Sequence, residues 1–239
     1  MSETQQPRGG SGAMFDTIAG RYDLLNRIIS LGVDTRWRRR TVAALACAPS
    51  HRVLDLATGT ADLALLTVST YPGVRVVGLD PSPKMLAVGE QKLKKAGVSE
   101  RVTLVEGDAE HIPFEDQSFE GVSMAFGIRN VPDRMAALRE MKRVTKPGGR
   151  IAILELSEPK NGLLGPLARF HIHSVVPWVG SVLSGQKAYH YLQASIAAFP
   201  PPEEFATMMR EAGLRVIEVV PLSFGVSTLY VATPAKAES

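Results

Sequence analysis

Apolar runs of strand length alternate with helical stretches along the chain from His51 onward. The strand-like runs are rich in branched aliphatic residues and are bounded by short polar or glycine-containing segments. There are seven such runs, at Arg52 to Thr58, Val74 to Asp80, Val102 to Gly107, Gly121 to Phe126, Ile151 to Leu156, Leu214 to Leu222 and Val226 to Thr233. Because strands joined by crossover helices pair in parallel, this alternation predicts an α/β fold.

Helical periodicity marks three segments between these strands, at Ala61 to Thr70, Pro83 to Ala96 and Pro132 to Val144. The last two strands are separated only by a short turn around Ser223-Phe224-Gly225, which is too short for a parallel crossover. We therefore predict a Rossmann-like, seven-stranded, mostly parallel sheet with a C-terminal antiparallel hairpin and helices on both faces.

Two segments fall outside this predicted core. Residues 14–48 read as a helical lead or lid, and residues 160–202 form an apolar insertion that we expect to cover the substrate. Residues 1–13 are polar and we expect them to be disordered, so residues 14–239 form a single predicted domain. Its longest nearly uncharged stretch is broken by prolines and glycines, which argues against a membrane span.

Composition narrows the class of protein. With 239 residues, 45% of them apolar, and a formal charge of +3, the chain is typical of a globular domain. Its single cysteine excludes an intrachain disulfide and fits a cytoplasmic protein. The surplus charge lies in residues 1–40, which hold seven basic and four acidic residues. Its centre, Thr35 to Arg40, is either a solvated helix face with Trp37 packed inward or a patch for a membrane surface.

The first predicted strand leads into a turn of small residues that opens a helix. Asp55 stands at the strand end, and Gly59 allows a ligand to approach the backbone closely. A glycine here is also compatible with an ordinary tight turn, so the loop alone does not establish a binding site.

Two further acids strengthen the interpretation that this loop belongs to a binding site. Asp80 closes the second strand, 21 residues after Gly59, where an acid reaches a ribose in dinucleotide folds. Asp108 closes the third strand and could accept from an adenine amino group. Three acids at successive strand ends suit a nucleoside with a cationic tail and would repel a pyrophosphate. S-adenosylmethionine is therefore favoured over a dinucleotide.

Beyond these positions the chain resembles the class I S-adenosylmethionine-dependent methyltransferases. Within that class it resembles the quinone-ring C-methyltransferases of ubiquinone and menaquinone biosynthesis. The likeness runs from Met14 to Thr233, and its narrowest element is Phe-Gly-Ile-Arg-Asn-Val at Phe126 to Val131. The chain departs from the usual pattern at Thr58 and Ala61, where glycine is common, and at Ala125, where some members have serine.

The resemblance implies roles for particular residues. Cofactor contacts fall on Thr60, on Asp80, and on Asp108 with Ala109. Arg129 and Asn130 are implied to line the pocket where substrate meets cofactor. We expect Arg129 to stabilise the developing phenolate or to polarise a water molecule, with a structural ion pair as the alternative.

Tyr22 is a further candidate, either as a lid over the methionine part of the cofactor or as an aromatic filler beneath the first helix. His171 and His173 make a weak metal pair, and we expect no metal. We group Arg129, Asn130 and Tyr22 as catalytic candidates, and Asp55, Gly59, Thr60, Asp80, Asp108 and Ala109 as cofactor-binding candidates.

The implied activity is C-methylation of a prenylated quinol ring, either demethylmenaquinol or a ubiquinol precursor. Alternatives are methylation of another small apolar or phenolic acceptor, and a non-catalytic S-adenosylmethionine-binding protein. We expect peripheral contact with the inner face of the cytoplasmic membrane and no nucleic-acid partner. A homodimer and a biosynthetic complex are both left open.

Overall fold

A computed structural model describes residues 19, 27, 30, 32–157 and 186–235, with the side chains of 186–190 and 192 excepted. The strands are β1 (Arg52–Leu56), β2 (Arg75–Asp80), β3 (Val102–Glu106), β4 (Phe119–Ala125), β5 (Thr145–Leu156), β6 (Leu214–Leu222) and β7 (Ser227–Pro234). The helices are α1 (Asp34–Ala44), α2 (Asp62–Thr70), α3 (Pro83–Ala96), α4 (Arg134–Val144), α5 (Gln186–Ala197) and α6 (Pro202–Glu211).

The seven strands form one sheet in the order β3-β2-β1-β4-β5-β7-β6. The first five pair in parallel, and β7 runs antiparallel to both β5 and β6. This confirms the predicted fold class, including the C-terminal hairpin. Because β1 lies between β2 and β4, the carboxyl ends of β3, β2, β1 and β4 follow one another along one edge of the sheet.

Side chains alternate between the two faces of the sheet, and each face has its own apolar core. On one face Leu54 and Leu56 of β1 pack in a cluster with α4 and α6. On the other face Val53 belongs to a cluster that includes residues of α1, α2 and α3. Helices therefore cover both faces, as the alternation of strands and helices predicts.

The residues at the two ends of α3 specify where this helix begins and where it ends. Ser82 caps its first turn by accepting from the Met85 N–H, Pro83 stands at the first helical position, and Gly97 ends it with φ at +68°. The observed bounds of α3 equal the predicted ones. Only glycine adopts this φ without strain, so the end of the helix is specified as sharply as its start.

The fifth strand begins at Thr145, whereas the sequence predicts Ile151. The Lys-Pro-Gly-Gly run lies inside the strand as an irregularity, because the partner changes from Phe119↔Thr145 to Gly121↔Arg150. A Cβ on Gly149 would lie 2.7 Å from the Glu120 carbonyl oxygen, so the backbones approach too closely for a side chain. Gly148 and Gly149 therefore form a bulge inside β5.

Two helices, α5 and α6, were not assigned from the sequence. Helix α6 begins after Pro201 with Glu203 and Glu204 in its first turn, and it buries Phe205 and Met209. Helix α5 lies within the predicted insertion of residues 160–202. Residues 1–13, residues 14–31 apart from 19, 27 and 30, and residues 160–185 of that insertion are outside the described residues. Over the described part of the chain, no helix is long and apolar enough to span a membrane.

Candidate active site

The loop after β1 is held against the end of β2 by one hydrogen bond. The Gly59 N–H donates to Asp80 Oδ2 at 2.8 Å, across the 21-residue spacing seen in the sequence. The loop also has positive φ at Ala57, Gly59 and Ala61. Such a backbone is unfavourable for the two alanines, so the surrounding contacts must hold this shape in place.

Asp55 lies beneath this loop and is 1% exposed. The hydroxyl groups of Thr58 and Ser123 donate to its two carboxylate oxygens, each at 2.7 Å. Burial raises the pKa of Asp55 to about 6, against the opposing effect of the two hydroxyls and the Arg38 charge. Asp55 therefore ties the loop to β4 from below.

Asp80 accepts from two backbone groups at once. Besides Gly59, the Ser82 N–H donates to Asp80 Oδ1 at 2.9 Å. A carboxylate has about four lone-pair sites, so it can accept from several N–H and O–H donors at once. The position at the carboxyl end of β2 is the one predicted for a ribose contact.

Asp108 and Ala109 follow β3. Ala109 is buried, whereas Asp108 is exposed and accepts from the Glu110 N–H at 2.7 Å. Thr60 lies in the β1 loop, is buried, and accepts from Lys92 Nζ at 3.0 Å. All six predicted cofactor-binding residues are therefore placed at or beside the carboxyl edge formed by β1, β2 and β3.

The Phe126 to Val131 element forms a turn directly after β4, with a 3-10 helix at Ile128–Asn130. Within it, Arg129 is 8% exposed, and its Nη1 donates to Glu155 Oε1 at 2.7 Å and to the Phe126 carbonyl at 2.6 Å. The Arg129 N–H also donates to Glu155 Oε2 at 3.1 Å. The structure thus contains the ion pair that the sequence left open as the alternative for Arg129.

Asn130 connects this turn to the insertion. Its Oδ1 accepts from the Tyr191 hydroxyl of α5 at 3.2 Å, and its Nδ2 donates to the Phe126 carbonyl at 3.4 Å. Of the three predicted catalytic residues, the structure brings Arg129 and Asn130 together beside β4. Tyr22 is outside the described residues.

The backbone around the site is close-packed where the loops meet. A Cβ on Gly127 would lie 2.5 Å from Ala57 Cβ, and one on Gly59 would lie 3.2 Å from Met85 Cε. Gly127 lets the turn after β4 approach the loop after β1, and Gly59 lets that loop approach α3. Together with the carboxylates of Asp55, Asp80 and Asp108 at three strand ends, this arrangement fits a nucleoside with a cationic tail.

Comparison with known proteins agrees with this geometry. The model of the ubiE/COQ5 methyltransferase family matches residues 2–234. The chain belongs to this family. Its members are methyltransferases that use S-adenosylmethionine, so the expected class of enzyme and the expected cofactor are both confirmed.

The "Demethylmenaquinone methyltransferase" of Thermus thermophilus is 47% identical over 91% of this chain and 98% of its own. The "Ubiquinone/menaquinone biosynthesis C-methyltransferase UbiE" of Syntrophotalea carbinolica is 44% identical over 96% of both chains. A solved putative S-adenosyl-L-methionine-dependent methyltransferase from Methanococcus maripaludis superposes with a TM-score of 0.70 at 16% identity, covering 100% and 99% of the two chains. That last likeness concerns the fold.

Two residues of this ubiE/COQ5 family site were missed by sequence reasoning. Glu155 interrupts an apolar strand, and a carboxylate in such a run signals a buried cation partner. Tyr191 lies in the insertion and had no local pattern to single it out. Among the described residues there is no group of three or more His, Cys, Asp or Glu that could hold a metal, and His171 and His173 lie outside them.

Proposed function

We propose that the chain methylates a ring carbon of a prenylated quinol, either demethylmenaquinol or a ubiquinol precursor. The observation that carries this proposal is the Phe126 to Val131 turn, which places Arg129 and Asn130 beside the cofactor loop. The names of its relatives in Thermus thermophilus and Syntrophotalea carbinolica support the same acceptor class.

When bound, S-adenosylmethionine would supply an electrophilic methyl group for the ring carbon. This chain has to hold the two reactants in line and to favour the phenolate form of the quinol. We assign the binding of the nucleoside to Asp80 for the ribose and to Asp108 with Ala109 for the adenine. Asp55, Gly59 and Thr60 shape the loop that follows β1.

Arg129 is assigned the stabilisation of negative charge on the quinol oxygen. Its guanidinium is held by Glu155 and the Phe126 carbonyl through Nη1, while the buried Nε has no hydrogen bond to any described residue. A guanidinium fixed on one side and unsatisfied on another is preorganised to donate to an oxyanion. Arg129 cannot serve as a base at neutral pH, so it acts as a donor.

Asn130 and Tyr191 form the wall between the turn and the insertion. Their hydrogen bond joins α5 to the end of β4, which supports the assignment of residues 160–202 as substrate cover. Tyr22 is assigned to the lid over the methionine part of the cofactor.

A peripheral contact with the inner face of the cytoplasmic membrane completes the proposal, because a prenyl tail lies in the bilayer. Support comes from α1, where Arg36, Arg39 and Arg40 are exposed while Trp37 is buried. Flotation with vesicles containing phosphatidylglycerol at low salt tests the contact. We expect retention that is lost when all three arginines are replaced by glutamine; equal retention of this variant would contradict the contact.

The acceptor is tested by transfer of a labelled methyl group to a set of reduced acceptors. We expect label in demethylmenaquinol or in the ubiquinol precursor, and much less in a simple phenol or a sterol. Label only in an unprenylated phenol would overturn the quinol assignment. Cofactor binding without any transfer would favour a non-catalytic protein.

A further inference from the structure

One part of the cofactor has no partner among the acids described above. S-adenosylmethionine carries a sulfonium and an ammonium, which acids attract, but also one α-carboxylate. Asp55, Asp80 and Asp108 would repel that carboxylate. A complete binding site therefore needs a cation near the methionine end.

Arg38 is the arginine of α1 that turns inward. Arg36, Arg39 and Arg40 are exposed, whereas Arg38 is 9% exposed. Its Cζ lies 5.2 Å from the centroid of the Phe126 ring. Because Phe126 directly follows β4, this contact places the guanidinium at the carboxyl edge of the sheet, beside the turn of Arg129 and Asn130.

The charge of Arg38 is only loosely compensated. Its Nε is buried without a hydrogen bond to any described residue, and it lies 3.6 Å from Asp34 Oδ2, which is beyond hydrogen-bond distance. The Arg38 charge also acts on Asp55, whose pKa it lowers against the effect of burial. Leaving a buried guanidinium with an unsatisfied N–H is costly, so the site favours an anionic ligand.

The order of the strands indicates which end of the cofactor lies there. Asp108, Asp80 and Asp55 stand at the ends of β3, β2 and β1, which are consecutive in the sheet. A nucleoside with its adenine at β3 and its ribose at β2 extends its amino-acid tail past β1. The next strand end is that of β4, where Arg38 covers Phe126.

Neighbouring contacts hold Arg38 in this position. The Trp37 Nε1–H donates to Ser223 Oγ at 2.9 Å, and the Trp37 ring meets the Phe126 ring edge-on with centroids 6.3 Å apart. These contacts attach α1 to the β6–β7 turn and to the end of β4. The helix is thereby positioned before any ligand arrives, which reduces the entropic cost of binding.

We infer that Arg38 binds the α-carboxylate of S-adenosylmethionine. The basic cluster of the sequence then has two roles, with Arg38 facing the cofactor and its exposed neighbours facing outward. This inference concerns cofactor binding and does not depend on the identity of the acceptor.

Calorimetry with two ligands tests the inference without any turnover. S-adenosylhomocysteine has the carboxylate, and decarboxylated S-adenosylmethionine lacks it. We expect Arg38→Met to weaken S-adenosylhomocysteine binding by about 10- to 100-fold, the range of a charge-assisted hydrogen bond, and to leave the decarboxylated ligand nearly unaffected. Arg39→Met, on the exposed side of the same helix, is the matched control and should bind both ligands as the unmodified protein does.

Unchanged S-adenosylhomocysteine affinity in Arg38→Met, or an equal loss for both ligands, would overturn the inference. If Arg38→Met does not fold, Arg38→Lys replaces it, because lysine keeps the charge and loses the planar donor set. The lysine variant should discriminate less strongly between the two ligands than the unmodified protein; equal discrimination would again contradict the role of Arg38.

Discussion

Arg129 Nη1 lies 2.7 Å from Glu155 Oε1, and the two side chains are 6% and 0% exposed. The same carboxylate accepts from the Arg129 and Leu156 N–H groups. One buried glutamate therefore fixes the turn after β4 to the end of β5. This relationship gives Arg129 a structural role in addition to the chemical role proposed for it.

Removing either partner of this pair should destabilise the protein strongly. Glu155→Gln leaves the Arg129 charge buried without its counter-charge, which costs about 3–5 kcal/mol of unfolding free energy. Urea denaturation measures the loss. The double variant Arg129→Met with Glu155→Leu removes both charges and should recover most of the stability. If the double variant is no more stable than Glu155→Gln, the loss of stability does not come from leaving the Arg129 charge without its counter-charge.

The same double variant separates the two roles of Arg129. If it folds and binds S-adenosylhomocysteine, its methyl-transfer rate should still be about 100-fold lower, because the donor to the quinol oxygen is gone. Turnover at the original rate would mean that Arg129 only positions the turn. Single-turnover measurements with saturating cofactor separate this effect from binding.

Asp55 should make the stability of the protein depend on pH. Its pKa rises from 3.8 to about 6 on folding, so between these values the folded state binds more protons than the unfolded state. The contribution of Asp55 to unfolding free energy is therefore fully present below the lower value and falls as pH rises towards 6. Denaturant midpoints of the unmodified protein should therefore fall as the pH rises between these two values. The midpoints of Asp55→Asn should not show this fall.

Asp80→Asn should weaken cofactor binding. The two N–H groups of Gly59 and Ser82 each use one carboxylate oxygen of Asp80, and an asparagine offers only one oxygen. Either the Gly59 or the Ser82 N–H then loses its partner, which weakens the hydrogen bonding that holds the loop against the end of β2. We expect an affinity for S-adenosylhomocysteine about 10- to 100-fold lower by calorimetry. Affinity equal to that of the unmodified protein would contradict the assignment.

Gly127→Ala should disturb the contact between the two loops of the site. The new Cβ would lie 2.5 Å from Ala57 Cβ, so one loop has to move. We expect a loss of about 1–3 kcal/mol, as for other overpacked positions, measured by thermal unfolding. Adding Ala57→Gly removes the opposing Cβ and the strain of a positive φ, so it should restore stability. If Ala57→Gly does not restore stability, the loss does not come from the contact between residues 127 and 57.

The sequence predicted the elements that local patterns specify. The bounds of α3 follow from a serine cap, a first-turn proline and a terminal glycine, and the hairpin follows from the shortness of its turn. The sequence also placed Gly59 and Asp80 at the same edge of a parallel sheet, but the hydrogen bond between them is a finding of the structure.

The remaining features depend on long-range packing. The partner of Arg129 is 26 residues away on another strand, and that of Asn130 is 61 residues away on α5. Arg38 has three arginines as close neighbours in the sequence, and its burial against Phe126 distinguishes it from them only in the structure. Gly148 and Gly149 fit both a break before a strand and a bulge inside one, so only the pairing of β4 with β5 shows which of the two they form.

We expect this site to transfer a methyl group to a carbon atom of a quinol ring. Incubation with S-adenosylmethionine carrying a ¹³C methyl group and with reduced demethylmenaquinol, followed by ¹³C NMR of the extracted lipid, tests it directly. We predict a labelled methyl signal bonded to a ring carbon. A labelled methoxy signal, or no label in the quinone, would contradict it.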